Sequence, residues 1–209
     1  MGRRSDGVVY YKVRCPGGRE ITVPILFSFK GEESEEGVVA TSFSPPGIVE
    51  ILKKRQFFLI KENSRRRTVL VKGKVKWCKG NSCLFQLDEE VIEEKRFYER
   101  FVFCPEELGE FELHLKNGER IPVKVLDISM SGIKLLVERY GEKVSAGETL
   151  LLTQETRFLT VKVVRVEREK RGAVVGCKIV NTNFNLIGFI INRYIERVAQ
   201  ILESFSRST

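Results

Sequence analysis

Apolar and polar residues alternate through most of the chain, and that period of two predicts strands. Val8 to Val13 is rich in Val and Tyr and stops at the turn Pro16-Gly17-Gly18. Glu20 to Phe29 and Val38 to Phe43 are two more strands, separated by the polar loop Lys30 to Gly37. Ile48 to Leu52 can continue as a strand, while Val49 to Ile60 has mixed periodicity and admits a short helix. Val69 to Cys78 and Cys83 to Leu87 form a hairpin across Lys79-Gly80-Asn81-Ser82. The charged stretch Asp88 to Lys95 has no Gly or Pro and marks a domain boundary near Glu93-Glu94. Strands then resume: Phe111 to Leu115, Arg120 to Leu126 after Asn117-Gly118, Ile133 to Val137, Thr149 to Thr153, Phe158 to Val166 and Ala173 to Val180. Phe184 to Phe205 differs. Its apolar residues Ile187, Ile191, Tyr194, Ile195, Val198, Ile201, Leu202 and Phe205 recur at steps of three and four, which is a helix with one apolar face. That helix is expected to cap its own barrel; pairing with a second copy is the other use of such a face.

The pattern predicts a mainly β chain with two small antiparallel barrels in tandem and a C-terminal helix, divided as 1–92 and 93–209. The halves also echo each other. Val13-Arg14-Cys15-Pro16 resembles Val102-Phe103-Cys104-Pro105, and Ser42 to Ile48 resembles Asp127 to Ile133. In that alignment Gly7 stands for Arg96, Tyr11 for Arg100 and Ser42 for Asp127.

Composition narrows the class. The chain has 209 residues, is 42% hydrophobic and carries a net charge of +8. That is enough apolar content for packed cores, and the charge favours an anionic partner. No apolar run follows the first arginines, Asp6 breaks a myristoylation pattern, and Pro24 to Phe29 and Leu186 to Ile191 are too short to span a bilayer. A soluble cytoplasmic protein is expected, and not an integral membrane protein. The five cysteines, Cys15, Cys78, Cys83, Cys104 and Cys177, form no CxxC pair and are expected as buried reduced thiols rather than disulfides or zinc ligands. His114 has no partner at the sequence level for acid–base work. No nucleophile–base set, metal cluster or phosphate-cradling Gly loop is visible, so no enzyme and no cofactor are expected. Lys53-Lys54-Arg55 and Arg65-Arg66-Arg67 read as solvated surface, and Trp77 as core or barrel edge.

Two short motifs carry chemistry. Lys95-Arg96-Phe97-Tyr98-Glu99-Arg100 places two arginines four apart, and Asp127-Ile128-Ser129-Met130-Ser131-Gly132 is an Asp-x-Ser-x-x-Gly turn between apolar runs. Alone, the first fits a solvated charged run and the second an ordinary Asx turn. In this order on a strand-rich chain, they resemble the RxxxR and (D/N)xSxxG motifs of PilZ domains, bacterial receptors for cyclic di-GMP. The resemblance covers Lys95 to the end of the last helix and implies a split barrel. The first half would then be a degenerate PilZ-like or flagellar-brake-like barrel.

The resemblance assigns roles that the residues can fill. Arg96 and Arg100 would wrap the ligand, since a guanidinium binds phosphate bidentately and stacks on a purine. Phe97 or Tyr98 would add an apolar wall. Asp127 would accept from guanine N1–H and N2–H₂, Ser129 would offer its hydroxyl, and Gly132 would permit a positive φ or close backbone approach. Lys95, just before the first motif arginine, would influence whether one ligand or an intercalated pair is held. The implied function is a non-enzymatic sensor that reorients its two domains on binding cyclic di-GMP, Glu93 to Phe101 acting as a hinge ordered by ligand phosphates. Its effector would be a protein such as a flagellar motor or polysaccharide synthase component, with nucleic acid not expected. The alternative is a basic small barrel that binds single-stranded nucleic acid. A purely structural adaptor is the third reading.

Overall fold

The structure is a computed structural model that describes residues 3–62, 67–93, 100–169 and 172–206. Its first barrel is built from β1 (Arg3–Arg14), β2 (Glu20–Ser34), β3 (Gly37–Ser44), β4 (Phe57–Glu62), β5 (Thr68–Lys79) and β6 (Ser82–Glu93). They close in the order β1-β2-β3-β6-β5-β4. Alternation does this work. Ile21, Val23, Ile25, Phe27 and Phe29 of β2 all turn inward and are buried. The core is aromatic, with the Phe57 and Phe85 ring centroids 4.5 Å apart and Phe29 and Phe85 5.2 Å apart. Gly7 makes room for the aromatic core: a Cβ there would collide with the Phe27 ring. The ambiguous stretch after Gly47 resolves into a short helix, α1 (Ile48–Lys54), followed by β4. Ile48, Ile51 and Leu52 are buried, which a helix with spacing of three and one satisfies and a strand would not.

The second barrel contains β8 (Glu110–His114), β9 (Arg120–Ile128), β10 (Gly132–Val137), β11 (Thr149–Gln154), β12 (Arg157–Glu169) and β13 (Gly172–Thr182). It closes through β8-β9-β10-β13-β12-β11, and β7 (Phe101–Val102) adds to the edge of β9. The cyclic strand order is that of the first barrel, strand for strand. The helix α2 (Leu186–Ser206) follows, and its Leu186 and Ile190 join the second core. Its buried stripe is narrower than the predicted face. Ile187, Ile191 and Ile195 are exposed, because the core-facing positions fall one residue earlier, at Leu186 and Ile190.

Compact units do not follow a single cut. One gathers Met1–Tyr11, Pro24–Phe97 and Glu196–Thr209; the other gathers Lys12–Val23 and Tyr98–Ile195. In the first, Phe205 stacks edge-on against Tyr11 at 5.8 Å, and the Lys54 ammonium lies 5.0 Å from the Phe205 ring. The Arg55 guanidinium sits over Tyr11, and Lys53 pairs with Glu50 at 2.7 Å, so the basic run at 53–55 is partnered rather than simply solvated.

Strand order corrects the internal alignment. The β1–β2 turn has Cys15 N–H donating to Arg19 O and Gly18 N–H to Cys15 O; the β8–β9 turn has Leu115 N–H donating to Glu119 O and Gly118 N–H to Leu115 O. Cys15 therefore corresponds to Leu115, not Cys104. Ser42 lies near the end of β3 and does not correspond to Asp127, which lies near the end of β9. Matching Cys-Pro pairs aligned two different places in the fold.

The expectation of reduced cysteines is also corrected. Cys15 and Cys104 form a disulfide across 89 residues of sequence, with Cα atoms 5.5 Å apart. Cys78 and Cys83 face each other across the β5–β6 ladder and form another. Only Cys177 is a free thiol, and burial in the second core pushes its pKa up to about 12. Trp77, read as core or edge, is 45% exposed.

Thiol titration of purified protein checks this pairing. Native protein should show no reactive thiol, unfolding without reductant should reveal Cys177 alone, and reduction should release all five cysteines. Opening the long crosslink with Cys104→Ser should lower unfolding free energy by about 4.6 kcal/mol on chain-entropy grounds.

Candidate functional site

The site forms where β9 is paired on both edges. Val102 of β7 pairs with Asp127 on one side, and Lys134 of β10 pairs with Asp127 on the other. Phe103 N–H extends the β7 side by donating to Leu126 O at 3.0 Å. Phe101 packs edge-on against Tyr194 of α2 at 5.2 Å, which anchors the segment that carries Arg100. Asp127 is only 8% exposed. Its carboxylate lies between two cations: Lys134 Nζ is 2.8 Å from Oδ2, and Arg100 Nη1 is 3.9 Å from Oδ1. A buried carboxylate needs such partners, because desolvation penalises an unpaired charge. Arg100 is half-exposed and loosely held at that distance, so its guanidinium can swing toward another anion.

Ser129 and Gly132 play a different part. The Ser129 hydroxyl accepts from Gly132 N–H at 2.9 Å and Ser131 N–H at 3.3 Å, and donates to Gly132 O at 3.2 Å. Ser129 N–H also donates to Gly132 O, at 2.8 Å. The side chain is buried and builds the turn. Gly132 does not take a positive φ. Close approach is its role: a Cβ would stand 3.2 Å from the Cys177 carbonyl oxygen across the β10–β13 ladder.

The first barrel has a related turn between β2 and β3. It reads Glu32-Glu33-Ser34-Glu35-Glu36-Gly37, and Ser34 Oγ donates to Gly37 O at 3.0 Å. Glu32 pairs with Val39 where Asp127 pairs with Lys134. The serine–glycine bond is shared, but Val39 stands where Lys134 does, and Gly37 takes a positive φ that Gly132 does not. The open end of that barrel is a recess of about 670 Å³ lined by Arg4, Lys61, Asp6, Glu33 and Glu62, a mixed set that favours no anion.

Of the residues singled out from sequence, the structure brings Arg100, Asp127, Ser129 and Gly132 together. Lys95 and Arg96, with Phe97 and Tyr98, lie outside the described residues. Lys134 was missed. Its signal was its place two residues past the motif glycine, which a tight hairpin puts opposite Asp127. His114 has a cross-strand partner after all, the Thr153 hydroxyl at 2.9 Å from Nε2. Among the described residues no three His, Cys, Asp or Glu side chains gather as a metal site.

A family model and several solved structures match this chain. The PilZ domain family model matches residues 94–196. Solved structures align over nearly the whole chain at low identity. The Bacillus subtilis inhibitor of motility MotI/DgrA is 12% identical, covering 96% of this chain and 97% of its own, with a TM-score of 0.39. Escherichia coli YcgR in complex with c-di-GMP is 10% identical, covering 98% and 86%, at 0.31. Borreliella burgdorferi PlzA in complex with c-di-GMP is 11% identical, covering 91% and 86%, at 0.33. No curated protein sequence matches the chain.

Stability depends on both the turn builder and the counter-charge. Ser129→Ala leaves the Gly132 and Ser131 N–H groups without their acceptor and should cost about 1–3 kcal/mol in urea unfolding. Lys134→Gln should also cost about 1–3 kcal/mol, because it takes the nearest counter-charge from the buried Asp127 carboxylate.

Proposed function

The chain is a PilZ-domain protein, its domain spanning residues 94–196, and we propose on that premise that it is a non-enzymatic receptor for cyclic di-GMP. The carboxylate of Asp127, buried and flanked by two cations on a three-strand ladder, carries the reading. A guanine edge offers N1–H and N2–H₂ donors that a fixed carboxylate accepts together. Two phosphodiesters need cations; Arg100 turns to one, and Arg96 and Lys95 reach the ligand from the same segment. Met130, 57% exposed at the tip of the turn, offers a soft apolar contact to a purine face. Ser129 and Gly132 act by holding the turn that aims Asp127. The first barrel, whose turn carries four glutamates, is read as taking no such ligand.

Ligand phosphates gathered by Arg96 and Arg100 draw the segment 93–101 onto β9 and alter how the two units are connected. The free energy available for that change is bounded by the ligand's differential affinity for the two arrangements. The output is contact with an effector protein in the cytoplasm, such as a flagellar motor or polysaccharide synthase component. No helix among the described residues is long and apolar enough to cross a membrane.

Calorimetric titration with cyclic di-GMP tests the receptor assignment. Arg96→Ala, Arg100→Ala and Asp127→Ala should each weaken binding about ten- to a hundredfold, or about 1.5–3 kcal/mol. Wild-type affinity in both arginine variants would sink it. Amide exchange tests the hinge: protection in residues 95–101 should rise on adding ligand. Unchanged exchange there, with binding intact, would confine signalling to the bound surface.

A further inference from the structure

The β5–β6 hairpin carries a feature that nucleotide binding does not use. We infer that its tip, Trp77 with Lys74, Lys76 and Lys79, docks on an anionic lipid surface. Residues 73–87 contain these three lysines and no acidic residue. All three are exposed, and none forms an ion pair among the described residues. Lys72, further back, is spoken for by Asp88 at 3.8 Å. Pairing of β4 with β5 ends at Gly73, so the stretch from Lys74 onward runs past its neighbour as an edge. A register shift between Val75 and Trp77 inserts Lys76 as an extra residue. The bulge explains why Lys76 and Trp77, adjacent in sequence, are both exposed. The acidic β2–β3 turn lies beside Phe85, which pairs with Val75; three residues along β6 separate it from Ser82, the partner of Lys79 at the tip.

Lysines alone would suit an edge guarded against strand pairing. An indole 45% exposed among them would not, because it adds apolar surface where such an edge needs none. Tryptophan beside lysine is instead the pairing favoured at a membrane interface: the ring sits at headgroup depth, and the ammonium groups reach the phosphates. Lysine is a hydrated point charge, suited to a diffuse negative surface; arginine would be expected for bidentate or stacked contacts with nucleic acid. A strand of nucleic acid also calls for successive stacking platforms. Trp77 is the only strongly exposed aromatic among the described residues of its unit. Each lysine adds about 1 kcal/mol near an anionic leaflet, so the contact is weak and reversible.

The chain has a single tryptophan, so its emission reports on this site alone. The full-length protein is titrated with phosphatidylcholine vesicles, with and without phosphatidylglycerol. A blue shift with the anionic vesicles only, reversed by high salt, is the expected result. The triple variant Lys74→Gln, Lys76→Gln, Lys79→Gln should weaken partition about a hundredfold, roughly fivefold per lysine. Trp77→Phe should reduce vesicle co-sedimentation while unfolding at the wild-type temperature. Emission unmoved by anionic vesicles, or moved equally by neutral ones, overturns the proposal. So does emission that responds to an oligonucleotide or polyglutamate but not to vesicles. Cyclic di-GMP affinity of the lysine variant should stay at the wild-type value, which keeps this test apart from that of the receptor site.

Discussion

Asp127 is held by strand pairing on both sides, and the site depends on that constraint. A lone β-strand leaves a side chain's direction loose. Here β9 is fixed by Val102 on one edge and Lys134 on the other, so the carboxylate has one address. The ladder also presents the counter-charges. Lys134 arrives as the cross-strand neighbour, and Arg100 arrives because β7 must lie along β9 to pair at all. Position and electrostatics therefore come from the same hydrogen bonds. A receptor built this way gains preorganisation, since little of the carboxylate's freedom remains to be lost on binding.

The two barrels separate what builds this turn from what gives it chemistry. Both keep a serine hydroxyl bonded to the glycine carbonyl three residues on. That bond closes the hairpin and is indifferent to ligand. What differs lies on the flanking ladder, where Glu32 faces Val39 and Asp127 faces Lys134. Two further glutamates crowd the first turn, at Glu35 and Glu36. The first turn is therefore acidic, while Lys134 and Arg100 flank the carboxylate of the second.

Much of this was legible in the chain. Alternation located nearly every strand, because a barrel wall has one wet and one dry face and a period of two records it. The hairpin at Lys79 to Ser82 already placed Cys78 opposite Cys83. Arg100, Asp127, Ser129 and Gly132 were marked by two short motifs and their joint resemblance to the PilZ pair, since a turn and the residues that aim it are local in sequence. The short helix after Gly47 was left open because Ile48 to Leu52 satisfies either period over so few residues.

Only the tertiary structure decided the rest. The link between Cys15 and Cys104 spans 89 residues, and no local pattern encodes which distant thiols meet. Lys134 became a site residue through cross-strand register rather than motif membership. The exposure of Trp77 turned on one inserted residue in a ladder. The internal repeat was visible as letters but misaligned, because resemblance of short words ignores strand order. Sequence determined which faces are apolar and where chains turn; closure of the barrels determined which of those faces and turns lie beside one another.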